Sequence, residues 1–190
     1  MSRDLMYTEE TRLLVSEAYS ALRSPGGPAA GFYDDAELAA LPAGAGEWAL
    51  GVGNPVRHAG LAAGETVVDL GCGAGLDVLL AADRVGPSGR AIGVDLLDSM
   101  VERGRRMATE AGFENTSFLQ GEIEDVPLPD GAVDVAISNG AVNLSARKSR
   151  VLAEAHRVLR PGGRLCVADL TLDDEDLPPE ILTHPSAWAG

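Results

Sequence analysis

Two aspartates, Asp69 and Asp95, stand at the ends of short apolar runs on either side of a glycine-rich loop, Gly71-Cys72-Gly73-Ala74-Gly75. Glycines at 71 and 73 let the backbone turn tightly and let a ligand approach with no Cβ in the way. The amides that open the following helix can receive a carboxylate or phosphate. A tight strand-to-helix turn made of small residues would look much the same. Asp95, twenty residues beyond Gly75, is placed to accept hydrogen bonds from the two ribose hydroxyls of a nucleoside. Asp69 closes a run that would be buried, where a carboxylate needs a partner, and either a ligand ammonium or the loop amides would serve.

The elements around these residues follow from hydrophobic periodicity. Thr66–Leu70 reads as a strand, 76–85 as a helix closed by Gly86-Pro87, and Arg90–Val94 as a second strand. Asp98 is placed to N-cap a helix with Met100, Val101, Gly104, Met107, Ala108 and Ala111 on one face, ended by Gly112. Ser117–Gln120, Val133–Ser138 and Leu165–Ala168 read as further strands, and the crossover 121–132 has room for little helix. Ser145 is placed to cap a helix through Val151, Leu152, Ala155, Val158 and Leu159, stopped by Pro161-Gly162-Gly163. Upstream, Thr8–Leu22 has helical spacing at Leu14, Val15, Ala18, Tyr19 and Leu22, and the run from Ser24 to Pro28 stops it. Asp34–Leu41 reads as a short helix before Pro42, and 43–53 as loop.

Strands alternating with helices predict an α/β fold, a Rossmann-like doubly wound, mostly parallel sheet. Right-handed crossovers bring the loops after the strands to one edge, where ligands bind near the switch point. The expected organisation is an N-terminal helical and loop segment, 1–60, covering the site, and a core, 61–190.

Bulk properties narrow the function. A chain of 190 residues with a formal charge of −14 suits one α/β domain and argues against binding a nucleic-acid backbone. Two cysteines are too few for a disulfide framework, and a cytoplasmic protein is expected. No segment approaches the roughly 20 apolar residues of a membrane-spanning helix, so no membrane partner is expected. No metal site is expected either, the run Asp173–Asp176 reading as a solvated loop. His58 could face the cleft, whereas His156 and His184 suggest no role, and Trp48 and Trp188 read as packing residues.

The pattern around Asp69 separates two nucleoside cofactors. A dinucleotide loop reads G-x-G-x-x-G, but here the third glycine comes one position early, at Gly75. Asp69-Leu70-Gly71-Cys72-Gly73-Ala74-Gly75 instead resembles the first motif of class I S-adenosylmethionine-dependent methyltransferases. The resemblance continues through Gly93-Val94-Asp95, 127–130, Val133-Asp134-Val135 and 157–165. Within that superfamily, Gly51-Val52-Gly53-Asn54-Pro55, 121–124 and 138–144 look like segments of the arsenite methyltransferases. The resemblance implies S-adenosylmethionine as cofactor and a site of Gly51, Gly53, Asp69, Gly71, Cys72, Gly73, Asp95, Leu96, Met100, Glu122, Ile123, Glu124 and Asn139. It identifies no catalytic residue.

Two departures bear on the acceptor. Family positions that carry arsenic-binding cysteines fall here at Val52 and Gly140, and neither residue can ligate. Cys72 and Cys166 read as packing residues. The expected activity is therefore methyl transfer to a small molecule, with arsenite methylation disfavoured. The chain stops at Gly190, short of the two further strands the resemblance implies, so an alternative is a truncated, non-catalytic S-adenosylmethionine-binding protein. An open sheet edge also invites pairing with another chain, and a homodimer is one way to cover it.

Overall fold

The computed structural model describes residues 3–20, 27 and 29–171, with side chains from Glu9 onward. Five strands, β1 (Thr66–Leu70), β2 (Arg90–Asp95), β3 (Thr116–Gln120), β4 (Val133–Asn139) and β5 (Leu159–Ala168), form one sheet in the order β3-β2-β1-β4-β5. All four pairings are parallel. The sheet follows the chain outward from β1 to β3, then returns to place β4 on the other side of β1. That switch leaves a crevice between the ends of β1 and β4. The helices are α1 (Arg3–Ser20), α2 (Asp35–Ala39), α3 (Pro55–His58), α4 (Leu76–Val85), α5 (Asp98–Ala111) and α6 (Lys148–Val158).

The core lies on both faces of the sheet, as continuous apolar strands require. One side packs Val67, Val135 and Ile137 against α4, α5 and residues from the 29–59 segment, such as Tyr33, Ala45 and Val56. The other packs Val68, Leu70, Val94 and Ala136 against Val126 and the α6 residues Ala155 and Val158. The expected doubly wound sheet is therefore observed. Residues 172–190, where further strands or their lack would be seen, lie outside the described residues, as do most of the 24–28 stop, Leu22, Asp173–Asp176, His184 and Trp188.

Several local expectations need correction. The helix after β2 takes Leu97, not Asp98, as its N-cap, with no side-chain cap. Asp95 Oδ1 accepts the Leu97 N–H at 2.9 Å and turns the chain one residue sooner. Ser145 does not cap α6; its hydroxyl accepts from Arg147 N at 2.9 Å and donates to Glu124, and the helix begins only at Lys148. Pro161-Gly162-Gly163 lies inside β5 rather than before it. Leu159 already pairs with Val133, and the next pairing is Arg164 with Val135, so residues 160–163 bulge from the ladder. Proline has no N–H to give the ladder, which accounts for the bulge. Upstream, α1 starts before Thr8, Leu14 on it is exposed, and 45–48 forms a 3-10 turn within the expected loop. On α5 and α6, Ala111 and Leu152 face solvent, not the core.

One packing arrangement positions the loop. The ring of Phe118 on β3 fills a slot walled by Gly75, Gly93 and Gly104. A Cβ added at Gly75 or Gly104 would stand 2.5 Å from its Cε1, and one at Gly93 2.9 Å from its Cδ1. The slot brings α5 and the end of the glycine loop onto β2 and β3. Phe118 is 4% exposed, so Phe118→Ala should destabilise the fold by about 3–5 kcal/mol, read as a lower urea midpoint.

Candidate cofactor site

Three strand ends deliver polar side chains to the crevice: Asp69 from β1, Asp95 from β2 and Asn139 from β4. Asp69 is fully buried, and its Oδ1 has no hydrogen-bond partner. Of the two partners expected for it, four of the five loop amides are occupied elsewhere. Gly71 and Cys72 donate to Val94 O at 2.8 and 3.0 Å, Gly73 to Asp95 at 2.8 Å, and Gly75 to Cys72 O at 2.9 Å. Burial raises the Asp69 carboxyl well above the usual carboxylate range, and the like charges of Asp77 and Asp95 raise it further. A ligand cation would relieve both causes.

Asp95 has two structural bonds before any ligand arrives. Its Oδ2 accepts from Gly73 N and its Oδ1 from Leu97 N, so it ties the glycine loop to the start of α5. Burial pushes its carboxyl up, while these two amides pull it down. A carboxylate has about four acceptor positions, so a pair remains for ribose hydroxyls.

Asn139 is the most connected side chain of the site. Its Oδ1 accepts from Val52 N at 2.8 Å and Gly53 N at 3.1 Å. Its Nδ2 shares its two hydrogens among three acceptors, Gly53 O at 2.8 Å, Asp77 Oδ2 at 2.9 Å and the Tyr33 hydroxyl at 3.0 Å. Tyr33 in turn donates to Asp77 Oδ1 at 2.9 Å. Asp77 sits in the first turn of α4, where the helix dipole favours a negative charge. Burial nonetheless lifts its carboxyl to about 6, against the lowering effect of the bonds from Asn139 and Tyr33. Sequence reasoning missed Asp77 and Tyr33. A charge inside the otherwise apolar run Leu76–Ala82 was the signal that pointed to Asp77.

The crevice opens into a cleft whose empty space, the open solvent at its mouth included, is about 880 Å³. Gly71, Gly73, Asp95, Leu96, Met100, Glu122, Ile123, Glu124 and Asn139 line it, as expected positions brought together. Asp69 and Cys72 line an adjoining recess, together with Gly71, Gly73, Asn139 and Asp77. Gly51 and Gly53 line neither space. Their backbone is turned onto Asn139, whose side chain a Cβ on Gly51 would strike, and Leu50 reaches both spaces instead. The two loop glycines also differ in role. Gly71 (φ 79°) is required by Ala141, into which its Cβ would run, whereas a Cβ on Gly73 would meet nothing within 4 Å and would project into open space. Gly73 thus leaves open space beside the loop, and Gly71 is a packing requirement.

Residues of α1 also reach the cleft. Arg12, Val15 and Tyr19 line it, and Arg12 pairs with Glu122. Burial, with the nearby charges of Asp95 and Asp169, raises the Tyr19 hydroxyl above its ordinary value. Trp48 lines the recess, with the Arg103 guanidinium 3.5 Å from its ring centroid. His58 and His156 are exposed and line neither space. Among the described residues, Arg12 is the one Lys or Arg lining the cleft, and none lines the recess. No described group of three or more His, Cys, Asp or Glu could hold a metal, and no described helix is long and apolar enough to cross a membrane. An orphaned buried carboxylate oxygen, an acid with free acceptor positions and an open glycine cradle fit a nucleoside carrying a cationic amino-acid tail.

Comparison with known proteins agrees with this geometry. A methyltransferase-domain family model matches residues 61–189. An arsenite methyltransferase of Halobacterium salinarum is 38% identical over 212 residues, covering 96% of this chain and 54% of that protein. A demethylmenaquinone methyltransferase of Symbiobacterium thermophilum is 36% identical, covering 63% of this chain and 48% of its own length. Among solved structures, an arsenic(III) S-adenosylmethionine methyltransferase from Chlamydomonas reinhardtii aligns with a TM-score of 0.70 at 39% identity, over 80% of this chain and 53% of that one. The chain thus spans about half the length of these relatives.

The Asn139 network yields a direct test. Asn139→Ala removes every side-chain anchor of residues 52–53 and leaves Asp77 with Tyr33 alone. The loss should be about 1–3 kcal/mol, and hydrogen exchange at the Val52 and Gly53 amides should quicken while that of the β1 amides is unchanged.

Proposed function

The chain belongs to the methyltransferase-domain family, as a class I S-adenosylmethionine-dependent methyltransferase close to the arsenite methyltransferases, and on that premise we propose that it methylates a small-molecule acceptor other than arsenite. The observation that carries the reading is the unpartnered Asp69 oxygen at the switch point, in a recess lined by no described lysine or arginine.

S-adenosylmethionine supplies, when bound, a methyl group already activated on a sulfonium. Asp69 and the Gly73 cradle would hold its amino-acid end, and Asp95 its ribose hydroxyls. Leu96, Met100 and Ile123, apolar side chains along the same cleft, would hold the adenine. Residues 1–60 would act as the cover, since Arg12, Val15, Tyr19 and Leu50 line the cleft from that segment. Their part is to align the reactants and exclude water, which is most of what an in-line displacement needs. A general base is optional, since an amine, thiolate or stabilised carbanion acceptor needs less help than a hydroxyl.

The acceptor is argued from what adjoins the site. A Cβ built on Gly140 would stand 3.7 Å from Val52 Cγ1, so the two positions that carry cysteines in arsenite methyltransferases are neighbours here. A valine and a glycine offer a soft metalloid no thiolate there. The wall formed by Val15, Leu50, Ala141 and Leu144 favours an acceptor with an apolar body.

Calorimetry with S-adenosylmethionine should show one-site binding, and Asp95→Ala should weaken it by about 1–3 kcal/mol. Turnover, followed as S-adenosylhomocysteine released in the presence of amine, thiol and quinol acceptors, should exceed that with arsenite. No binding at millimolar cofactor would refute the reading, and faster turnover with arsenite would refute the choice of acceptor.

A further inference from the structure

Asp69 and Asp77 meet in the recess with no described cation between them. The two face it from different elements, β1 and the first turn of α4, and both are buried. The other groups around them supply no positive charge. Asp95 on β2 and Cys72 on the loop face Asp69, while the Tyr33 hydroxyl and Glu37 on α2 face Asp77. Arg57 and Arg84 are engaged by Glu37 at 2.6 and 3.2 Å, and Arg103, stacked on the Trp48 ring, does not itself line the recess. Two buried carboxylates in such a place cannot both ionise at low cost.

The hydrogen bonds decide which of them holds a proton. Asp77 receives one bond on each oxygen, from Tyr33 and Asn139, and both favour its charged form. Asp69 Oδ1 receives none. We propose that Asp77 is a positioning residue whose charge keeps Asp69 protonated in the ligand-free protein, so that docking of the cofactor ammonium against Asp69 expels one proton to solvent. The balance is simple: the Asp69 O–H bond breaks, its proton leaves to water, and the ammonium keeps its own hydrogens and donates to the new carboxylate. The inference rests on the reading of the recess as the cofactor's amino-acid subsite.

Its consequence is a cofactor affinity that depends on pH. The burial and like charge that raise both acids mean that ligand-free protein binds a proton which the complex does not. Affinity therefore rises with pH, by at most about tenfold per pH unit for a single proton, and levels off above the point at which Asp69 ionises unaided. Asp77→Asn removes the neighbouring charge while keeping the shape of the residue, so Asp69 ionises at lower pH and the proton is lost before the ligand arrives.

The test is calorimetry of S-adenosylhomocysteine, which carries the same ammonium without the sulfonium, at pH 6 and 7 in buffers of different ionisation enthalpy. The expected result is a buffer-dependent heat showing release on the order of half a proton or more per ligand, with a clearly smaller release in Asp77→Asn that still binds. Binding by the unaltered protein with no buffer dependence overturns the inference and leaves the cofactor reading standing. Absence of binding overturns both. Should Asp77→Asn not fold, Tyr33→Phe serves in its place. It strips one hydrogen bond from Asp77, favours a proton on the pair, and should shift the release toward higher pH; an unchanged pH profile would count against the proposal.

Discussion

The carboxamide of Asn139, at the end of β4, accepts the Val52 and Gly53 amides and shares its two hydrogens among Gly53 O, Asp77 and the Tyr33 hydroxyl. A single side chain with two donor and two acceptor positions thereby joins the sheet, the first turn of α4 and two points of the N-terminal segment. The crossing of β4 to the far side of β1 creates the crevice, and Asn139 determines what closes over it. Its bonds are made in a half-buried setting, where leaving these partners unmatched would cost free energy. The position of residues 50–53, and of Leu50 against the cleft, depends on it.

The same economy appears at Asp95 and around Phe118. Asp95 serves the scaffold through Gly73 N and Leu97 N and still presents acceptor positions to the cleft. Phe118 draws Gly75, Gly93 and Gly104 together, so packing on β3 sets the end of the loop that a ligand would meet. Fold and site therefore share residues, and the loop geometry follows from core packing as much as from its glycines. Asp69 is the exception. Its backbone belongs to the sheet, but its Oδ1 bonds nothing in the scaffold, and its burial raises the cost of its charge until a cation arrives.

Parts of this were legible from the residues alone. Thr66–Leu70 and 76–85 were read with the bounds observed, because apolar runs interrupted by glycine and proline report directly on local backbone. Boundaries governed by a distant partner were misread. Ser145 looked like a cap, but Glu124, twenty-one positions away, and Arg147 share its hydroxyl, so α6 starts later. Pro161-Gly162-Gly163 looked like a stop, but β4 supplies a partner on both sides of it and turns it into a bulge.

For the site, the sequence by itself determined the donor side: a glycine loop led by Asp69 and followed by Asp95 specifies a strand-loop-helix unit for a nucleoside, and its resemblance to the class I methyltransferase motif supplied the cofactor. These are short-range features, set by spacing within two neighbouring strands. Only the tertiary structure decided the rest. It showed that the amides of Gly71, Cys72, Gly73 and Gly75 are spent elsewhere and that Gly71 answers to Ala141 while Gly73 faces the open space. It placed Val52 beside Gly140 and closed Tyr33, Asp77 and Asn139 into one network across 106 residues of chain. Hydrogen-bond partners and charge neighbours at such separations are chosen by the packing of the sheet, and spacing along the chain carries no record of them.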